Sequence, residues 1–174
     1  MNRSEIDRFI EVWNGEAERT AKVLESLPRD QYDFRPDPQS RSLGELAWHL
    51  AEIDGYMSDG AAKKKVDFGQ KLPSLTRPRE IEALAPGYRR VHQEAVERVR
   101  TLKPEDLDQT VSLGAPGMTF TIRDLLWNVM LHHAIHHRGQ LCMMNRQAGG
   151  KSPGIYGPNR EETAAMRAQA QSRN

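Results

Sequence analysis

Apolar residues recur at helical spacing, with charged residues between them, in four stretches of the chain: 4–27, 42–60, 79–102 and 122–147. In the first stretch, for example, Ile6, Phe9, Ile10 and Trp13 share one side of a helical wheel. Such a stripe lets a helix bury one face, so we predict four amphipathic helices. Because strand signals are few, this pattern indicates an all-α protein built as a four-helix bundle.

Capping and helix-breaking residues mark where these helices begin and end. Pro28 ends the first helix, and Ser42 opens the second with Glu45 three residues later, which is the pattern of a capping box. Pro86, which a glycine follows, is expected to kink the third helix or to divide it in two. Two consecutive glycines at 149–150 end the fourth helix.

The segments between the helices predict smaller features. Residues 28–41 and 61–78 are longer than the connections of a minimal up-and-down bundle, so we expect one or both to cross over the bundle. The lysines at 63–65 form either solvated surface or, as a sharper interpretation, a lid or an anion contact. The apolar residues on either side of 114–117 indicate either a small hairpin or a structured loop. A short alanine-rich helix is predicted after Asn159.

Length, charge and cysteine content narrow the classes of function. The 174 residues are expected to form a single domain, 1–174. The 25 Lys and Arg against 24 Asp and Glu give a net charge of +1, so we expect no nucleic-acid partner. No apolar run approaches the roughly 20 residues that cross a bilayer, and the N-terminus lacks the apolar region of a signal peptide, so we expect no membrane partner. Cys142 is the single cysteine, which excludes an internal disulfide and fits a cytoplasmic location.

Histidines are the most informative residues, because four of the six lie close together: His132, His133, His136 and His137. On a wheel of about 100° per residue, His133 and His137 fall about 40° apart, on the apolar stripe that faces the bundle interior. Two imidazoles one turn apart can aim their nitrogens at one cation. His132 and His136 share this spacing on a less apolar stripe, so we favour the first pair. Hydrogen-bonded structural histidines are the alternative.

A third ligand is needed, because catalytic zinc sites usually have three protein ligands and one open position. His49 also lies on a predicted core-facing stripe, whereas His92 lies between charged neighbours and is expected at the surface. A set of His49, His133 and His137 would join two helices. Three nitrogen ligands suit zinc, nickel, copper or iron better than magnesium or calcium. The open position would hold water, whose pKa bound zinc lowers to about 7.

Several segments resemble the DinB-like superfamily, and they occur in the same order along the chain. Residues 41–50, RSLGELAWHL, resemble the segment that carries the first metal-binding histidine of that superfamily. Residues 133–141, HAIHHRGQL, are similar to the signature around the other two ligands, which is the most specific part of the match. Residues 27–36 and 153–158 resemble further segments, so the resemblance covers most of the chain.

The resemblance implies a four-helix bundle with an unusual crossover, which frequently forms a homodimer. It also implies that His49, His133 and His137 hold a divalent transition metal, with zinc or nickel favoured. Relatives include thiol-dependent S-transferases, an isomerase that uses a thiol cofactor, and many members without a known activity. We therefore expect a metal-dependent enzyme for a small-molecule substrate, either transferring a low-molecular-weight thiol to an electrophile or catalysing metal-assisted hydrolysis. The alternative is a non-catalytic metal-binding protein of the stress response or a dimeric interaction protein.

Four further residues are candidate contacts of the ligands or the substrate: Gln140, Tyr56, His136 and Tyr156. Gln140 lies near the ligand stripe and is a candidate hydrogen-bond partner of a ligand. Tyr56 either reaches the cavity or packs in the core, and His136 is equally suited to a surface role. Tyr156 either covers the open face of the metal or anchors its loop. Arg138 is expected to form an ion pair or a dimer contact.

Overall fold

The computed structural model describes residues 4–114 and 117–172 of the chain. The long helices are α1 (Glu5–Glu25), α2 (Leu43–Lys63) and α3 (Ile81–Arg100). A fourth helical rod consists of α4 (Ile122–Asp124), a π-helical segment (Leu125–Leu131) and α5 (His132–Gln147). A hairpin of β1 (Thr110–Ser112) and β2 (Thr119–Thr121) precedes this rod, and the short helix α6 (Arg160–Gln171) follows it. The predicted all-α bundle with a small hairpin and a C-terminal helix is therefore confirmed.

Side-chain caps start the first two helices at the predicted places. The hydroxyl oxygen of Ser4 accepts the N–H of Asp7 at 3.1 Å and caps α1. At α2, Ser42 Oγ accepts the N–H of Glu45 at 3.2 Å, and the Glu45 carboxylate accepts the N–H of Ser42 at 2.8 Å. The predicted capping box is therefore present, and it satisfies N–H groups that have no partner inside the first turn.

Helices that follow each other in the chain do not all lie side by side in the bundle. Both α1 and α2 pack against α3 and α5, which places α1 diagonal to α2 and α3 diagonal to α5. The connections 26–42 and 101–121 therefore cross the end of the bundle, whereas 64–80 joins two neighbouring helices. Of the two connections expected to cross over, the first does so and the second does not.

The interior is filled by side chains from every long helical segment. Its largest fully buried members include these five: Phe9, Trp13, Trp48, Leu84 and Leu126. Burying a large apolar side chain contributes roughly 1.5–3 kcal/mol, so this shared interior holds the four segments together. The indole N–H of Trp48 donates to the carbonyl oxygen of Leu75 at 3.2 Å, which ties the connection 64–80 to α2.

Helix α3 continues through Pro86 as one helix, so of the two predicted alternatives, a kink or a division, the division is wrong. The next residue, Gly87, faces the indole ring of Trp48, and a Cβ atom there would lie 2.8 Å from that ring. The missing side chain lets α2 and α3 approach each other closely. Burial of the large Trp48 ring compensates for the backbone hydrogen bond that Pro86 removes.

The fourth rod departs from the single α-helix that its sequence predicts. Leu125–Leu131 is π-helical, so its backbone hydrogen bonds run from residue i to i+5 and each turn is wider than an α-helical turn. A helical wheel drawn at a constant angle per residue therefore assigns the wrong direction to the residues that follow this segment. The residues of α5 are rotated from the positions that an unbroken α-helix would give them.

The hairpin fixes the long connection between α2 and α3. Strands β1 and β2 are antiparallel, with Val111 opposite Phe120. Val66, in the connection, is fully buried and donates its N–H to the carbonyl oxygen of Ser112 at 2.9 Å. The connection therefore packs along the hairpin and lies near the face that α2 and the fourth rod share.

Charged side chains at the end of α2 lie at the surface. Lys63 pairs with Asp59 at 2.9 Å, and Lys64 pairs with Asp106 at 3.7 Å. Both lysines are exposed, which agrees with the interpretation of the lysine run as solvated surface. Within residues 4–114 and 117–172, no helix has the length and apolar character needed to cross a membrane.

Candidate metal centre

Three histidines from two neighbouring helices come together on one side of the bundle. His49 lies on α2, and His133 and His137 lie one turn apart on α5. Each offers one ring nitrogen, and these three atoms lie within 4.8 Å of one another. The cluster is the set that the sequence predicts, and it is a group that is able to hold a metal ion.

The facing ring nitrogens of the two α5 histidines lie within hydrogen-bond distance of each other, which is close to the spacing that a shared metal requires. The Nε2 atoms of His133 and His137 are 3.0 Å apart. Two imidazole ligands of a tetrahedral zinc ion, each at about 2.0–2.1 Å, place their nitrogens roughly 3.3 Å apart. The ring centroid of His49 lies 4.9 Å from that of His137 and 5.8 Å from that of His133. Three imidazoles around one point therefore fit zinc, nickel or a similar borderline metal.

Neighbouring side chains occupy the other ring nitrogens. His137 Nδ1 lies 2.6 Å from Oε1 of Gln140, which confirms the hydrogen bond expected of this glutamine. His49 Nδ1 lies 3.2 Å from the Glu52 carboxylate, which also accepts a hydrogen bond from Arg77 at 2.9 Å. Such partners fix the ring orientation and the tautomer, and they leave Nε2 of both histidines for a metal. Sequence reasoning missed Glu52, although its position one helical turn after His49 is a usable signal.

Burial favours the neutral form of the two α5 histidines. It lowers the pKa of His137 to about 4, together with the charges of the neighbouring histidines and against the hydrogen bond that Nδ1 of His137 donates to the side-chain oxygen of Gln140. Partial desolvation of the His133 ring also lowers its pKa, with smaller contributions from His49, His136 and Arg41. Both rings are therefore neutral at neutral pH, and neutral imidazole is the form that binds metals.

The cluster opens to solvent instead of facing the bundle interior. His133 is exposed, and His49 and His137 are half-buried. The prediction that His133 and His137 face the interior is therefore wrong. The physical reason for this difference is the π-helical segment just before α5, which rotates both residues away from the position given by an α-helical wheel.

Two cavities adjoin the cluster on different sides. The first, of about 420 Å³, lies beside His49 and His133, and its walls are mainly apolar. The second, of about 890 Å³, lies beside His137 and Gln140 and has further amide side chains in its wall. Arg41 lies at the edge of both cavities. The three-histidine cluster therefore borders both cavities, through His49 and His133 on one and through His137 on the other.

Of the three remaining predicted site residues, two lie near the three-histidine cluster and one lies away from both cavities. Tyr56 lines the first cavity, and the exposed ring of His136 lies with its centroid 5.3 Å from that of His137. Tyr156 lines neither of these cavities, is 68% exposed, and donates its hydroxyl hydrogen to the Glu16 carboxylate at 2.6 Å. Tyr156 therefore anchors its loop, and the alternative that it covers the metal is wrong. The expected ion pair of Arg138 is formed with Glu16 at 2.6 Å.

His92 is buried, so its predicted surface position is wrong. Its Nδ1 lies 2.8 Å from the carboxylate of Asp54, which is fully buried, and its Nε2 lies 2.9 Å from Oδ1 of Asn14. The indole N–H of Trp13 donates to the same Asp54 carboxylate at 3.2 Å. These partners satisfy both ring nitrogens, so His92 has a structural role between α1, α2 and α3.

Comparison with known proteins agrees with the fold and with the family that the sequence resembles. The DinB family model matches residues 1–173. The Bacillus subtilis protein YrdA is 31% identical over 161 residues, which cover 91% of this chain and 92% of YrdA. The crystal structure of a DinB-like protein from Bacillus cereus has a TM-score of 0.69 and 28% identity, over 85% of this chain and 95% of that one. The DinB-like protein YjoA of Bacillus subtilis shares the fold at a TM-score of 0.69 and 23% identity, over 88% of this chain and 99% of YjoA. The chain belongs to the DinB family.

Proposed function

We propose that this protein is a divalent-metal-dependent enzyme that transfers a low-molecular-weight thiol to a small electrophile. The observation that carries the proposal is a three-histidine group between two cavities, one beside His49 and His133 and the other beside His137. A transfer brings two reactants to one centre, whereas hydrolysis needs one reactant and water. The two cavities therefore favour transfer, with metal-assisted hydrolysis as the second candidate.

The donor set supports zinc or nickel as the metal. When bound, either ion would supply a Lewis acid that lowers the pKa of a thiol and so raises the thiolate fraction at neutral pH. Within the described ranges, no fourth histidine, cysteine or carboxylate joins the three histidines as a possible ligand. This supports a centre with an open position and argues against a closed structural site.

The surrounding side chains hold the ligands in place. Gln140 orients His137, and Glu52, itself fixed by Arg77, orients His49. The second cavity has amide side chains from Gln39, Gln140 and Gln147 in its wall, which suit a polar thiol compound. The apolar walls of the first cavity suit the electrophile.

The proposed transfer balances without an oxidant or a reductant. The thiol loses its proton to solvent, and its sulfur forms a bond to the electrophilic carbon. The leaving group departs with the electron pair of the bond that breaks. The reaction therefore needs a thiol, an electrophile and an orienting metal site, with no redox cofactor.

Elemental analysis of untagged protein tests the metal site first. We expect close to one transition-metal ion per chain in the wild type and a large loss in His133→Ala. His136→Ala is the matched control, because His136 is a neighbouring exposed histidine outside the three-histidine group, and it should keep its metal. Wild-type protein that takes up neither zinc nor nickel would contradict the proposal.

A second measurement separates transfer from simple metal binding. Zinc-loaded wild type is incubated with cysteine and 4-nitrobenzyl chloride, and formation of the thioether is followed by chromatography. We expect faster thioether formation than in buffer, and the uncatalysed rate with His133→Ala. Stoichiometric metal without any acceleration, across a panel of thiols and electrophiles, would favour the non-catalytic metal-binding alternative.

A further inference from the structure

The first cavity is lined mainly by apolar side chains, which suit the binding of an apolar group. Its lining comes from several elements: Ile53 and Met57 of α2, Val129 of the π-helical segment, Leu113 after β1, and Phe68 of the long connection. Phe68 is 53% exposed, and its ring contacts the ring of Tyr56 in the same lining. An apolar cavity of about 420 Å³ with a few polar groups at its edge is typical of a small-molecule site.

Two polar groups of this cavity have no partner in the described part of the chain. The guanidinium of Arg41 forms no ion pair or hydrogen bond there, although the nearby Arg35 and Arg77 are both paired with carboxylates. The hydroxyl of Tyr56 has no hydrogen-bond partner there either, and its ring contacts Phe68. Both groups are donors, so they are suited to a ligand that carries an acceptor or a negative charge.

The carboxylate that lines the same cavity does not neutralise Arg41. Glu52 is held by Arg77 at 2.9 Å and by His49 at 3.2 Å, so its charge is already paired. The unpaired charge at the edge of the cavity is therefore positive. A guanidinium presents a planar pair of N–H donors that matches the two oxygens of a carboxylate.

We propose that the first cavity binds a small organic carboxylate with an aromatic or branched aliphatic body. The body lies between Ile53, Val129 and Phe68, the carboxylate pairs with Arg41, and Tyr56 donates a hydrogen bond to an oxygen of the ligand. The assignment of this molecule as the electrophilic reactant rests on the proposed thiol transfer, because the molecule must then present its reacting carbon beside His133. Its assignment as a ligand requires only the cavity and the two donor groups.

Binding of two matched probes tests this assignment. The acid 4-phenylbutyrate and the alcohol 4-phenylbutan-1-ol share an apolar body and differ in charge. Their affinities are measured by NMR titration of the full chain, both metal-free and zinc-loaded. We expect the wild type to bind the acid about tenfold more tightly than the alcohol in the metal-free form, where no metal is present to attract the carboxylate.

Three variants test whether this preference for the acid arises in the first cavity. Arg41→Gln should remove it and leave the affinity for the alcohol unchanged, whereas Arg29→Gln, which removes an exposed arginine paired with Glu82, should keep it. Phe68→Ser should weaken both probes, and it should not unfold the protein because Phe68 is largely exposed. Failure of the wild type to bind the acid, equal binding of both probes, or an unchanged preference in Arg41→Gln would overturn the inference.

The same titrations separate this inference from the proposed function. Acid preference in a protein that takes up neither zinc nor nickel would support the carboxylate site and overturn the metal-dependent reaction. Stoichiometric zinc without acid preference would overturn the carboxylate site and leave the metal-dependent reaction in place.

Discussion

At the scale of single residues, the ion pair between Glu16 and Arg138 joins α1 to α5. Arg138 is 2% exposed and donates to the Glu16 carboxylate at 2.6 Å and to the Glu16 carbonyl oxygen at 2.9 Å. Glu16→Gln leaves this buried guanidinium without a counter-charge. We expect the free energy of unfolding to fall by about 3 kcal/mol, measured by urea denaturation at pH 7.

A matched control variant and the pH dependence distinguish the loss of this buried ion pair from the loss of an ion pair at the surface. Glu18 forms an exposed pair with Arg89, so Glu18→Gln should cost less than about 1 kcal/mol. Burial raises the pKa of Glu16, but hydrogen bonds from Tyr156 and Arg138 outweigh it and bring the pKa below 4.5. Because the folded-state pKa is depressed, the stabilisation is complete well above pH 4.5 and is lost as the pH falls through the folded-state value. Equal losses in the two variants would contradict the buried-pair argument.

The hydrogen bond between Gln140 and His137 predicts an effect on metal affinity. Gln140→Leu removes the acceptor at Nδ1 of His137, so the ring is less well oriented for a metal at Nε2. We expect the dissociation constant for zinc to rise by about tenfold, measured by competition with a chromophoric chelator. Gln147→Leu, at an exposed position of the same helix, should leave the constant unchanged. Identical affinities for wild type and Gln140→Leu would show that the hydrogen bond does not orient the ligand.

At the scale of elements, a glycine controls how the first crossing connection meets α2. A Cβ atom on Gly44 would lie 2.2 Å from the ring of Tyr32, which is held by a hydrogen bond from its hydroxyl to the carbonyl oxygen of Pro78 at 2.9 Å. We therefore expect Gly44→Ala to lower the free energy of unfolding by about 1–3 kcal/mol. A Cβ atom on Gly139, in α5, would meet no atom of the described residues within 4 Å outside its own helical turn, so Gly139→Ala should raise stability by up to about 1 kcal/mol. Thermal denaturation measures the change in stability of each variant. Changes of the same sign in the two variants would contradict the packing argument.

Element boundaries could be predicted from sequence wherever the signals are local. The apolar stripe of α1 and the Ser42–Glu45 capping box involve residues a few positions apart, and both are found. His133 and His137 were recognisable as a pair for the same reason. The π-helical segment depends on packing of the whole rod, so a constant wheel angle misplaced the face of α5. His92 was misassigned because its partner Asp54 lies 38 positions away in the chain.

At the scale of the whole molecule, a metal at the candidate centre would cross-link two helices. His49 belongs to α2, whereas His133 and His137 belong to α5, and the chain between the helices includes all of α3 and the hairpin. A metal held by all three ligands binds the folded state and has no preformed site in the unfolded chain. Binding therefore adds to the free energy of unfolding, by an amount that rises with the logarithm of the ratio of free metal concentration to dissociation constant once the metal is in excess.

This cross-link predicts a shift in thermal stability. At a zinc concentration about 100 times the dissociation constant, binding adds about 2.7 kcal/mol, which raises Tm by roughly 5–10 °C for a domain of this size. Excess chelator should reverse the shift. His49→Ala leaves two ligands on one helix, so zinc should raise its Tm by less than half of the wild-type amount. The shift should persist in His136→Ala, because His136 lies outside the three-histidine group. A full shift in His49→Ala would mean that zinc binds α5 alone and that the two helices are not joined through it.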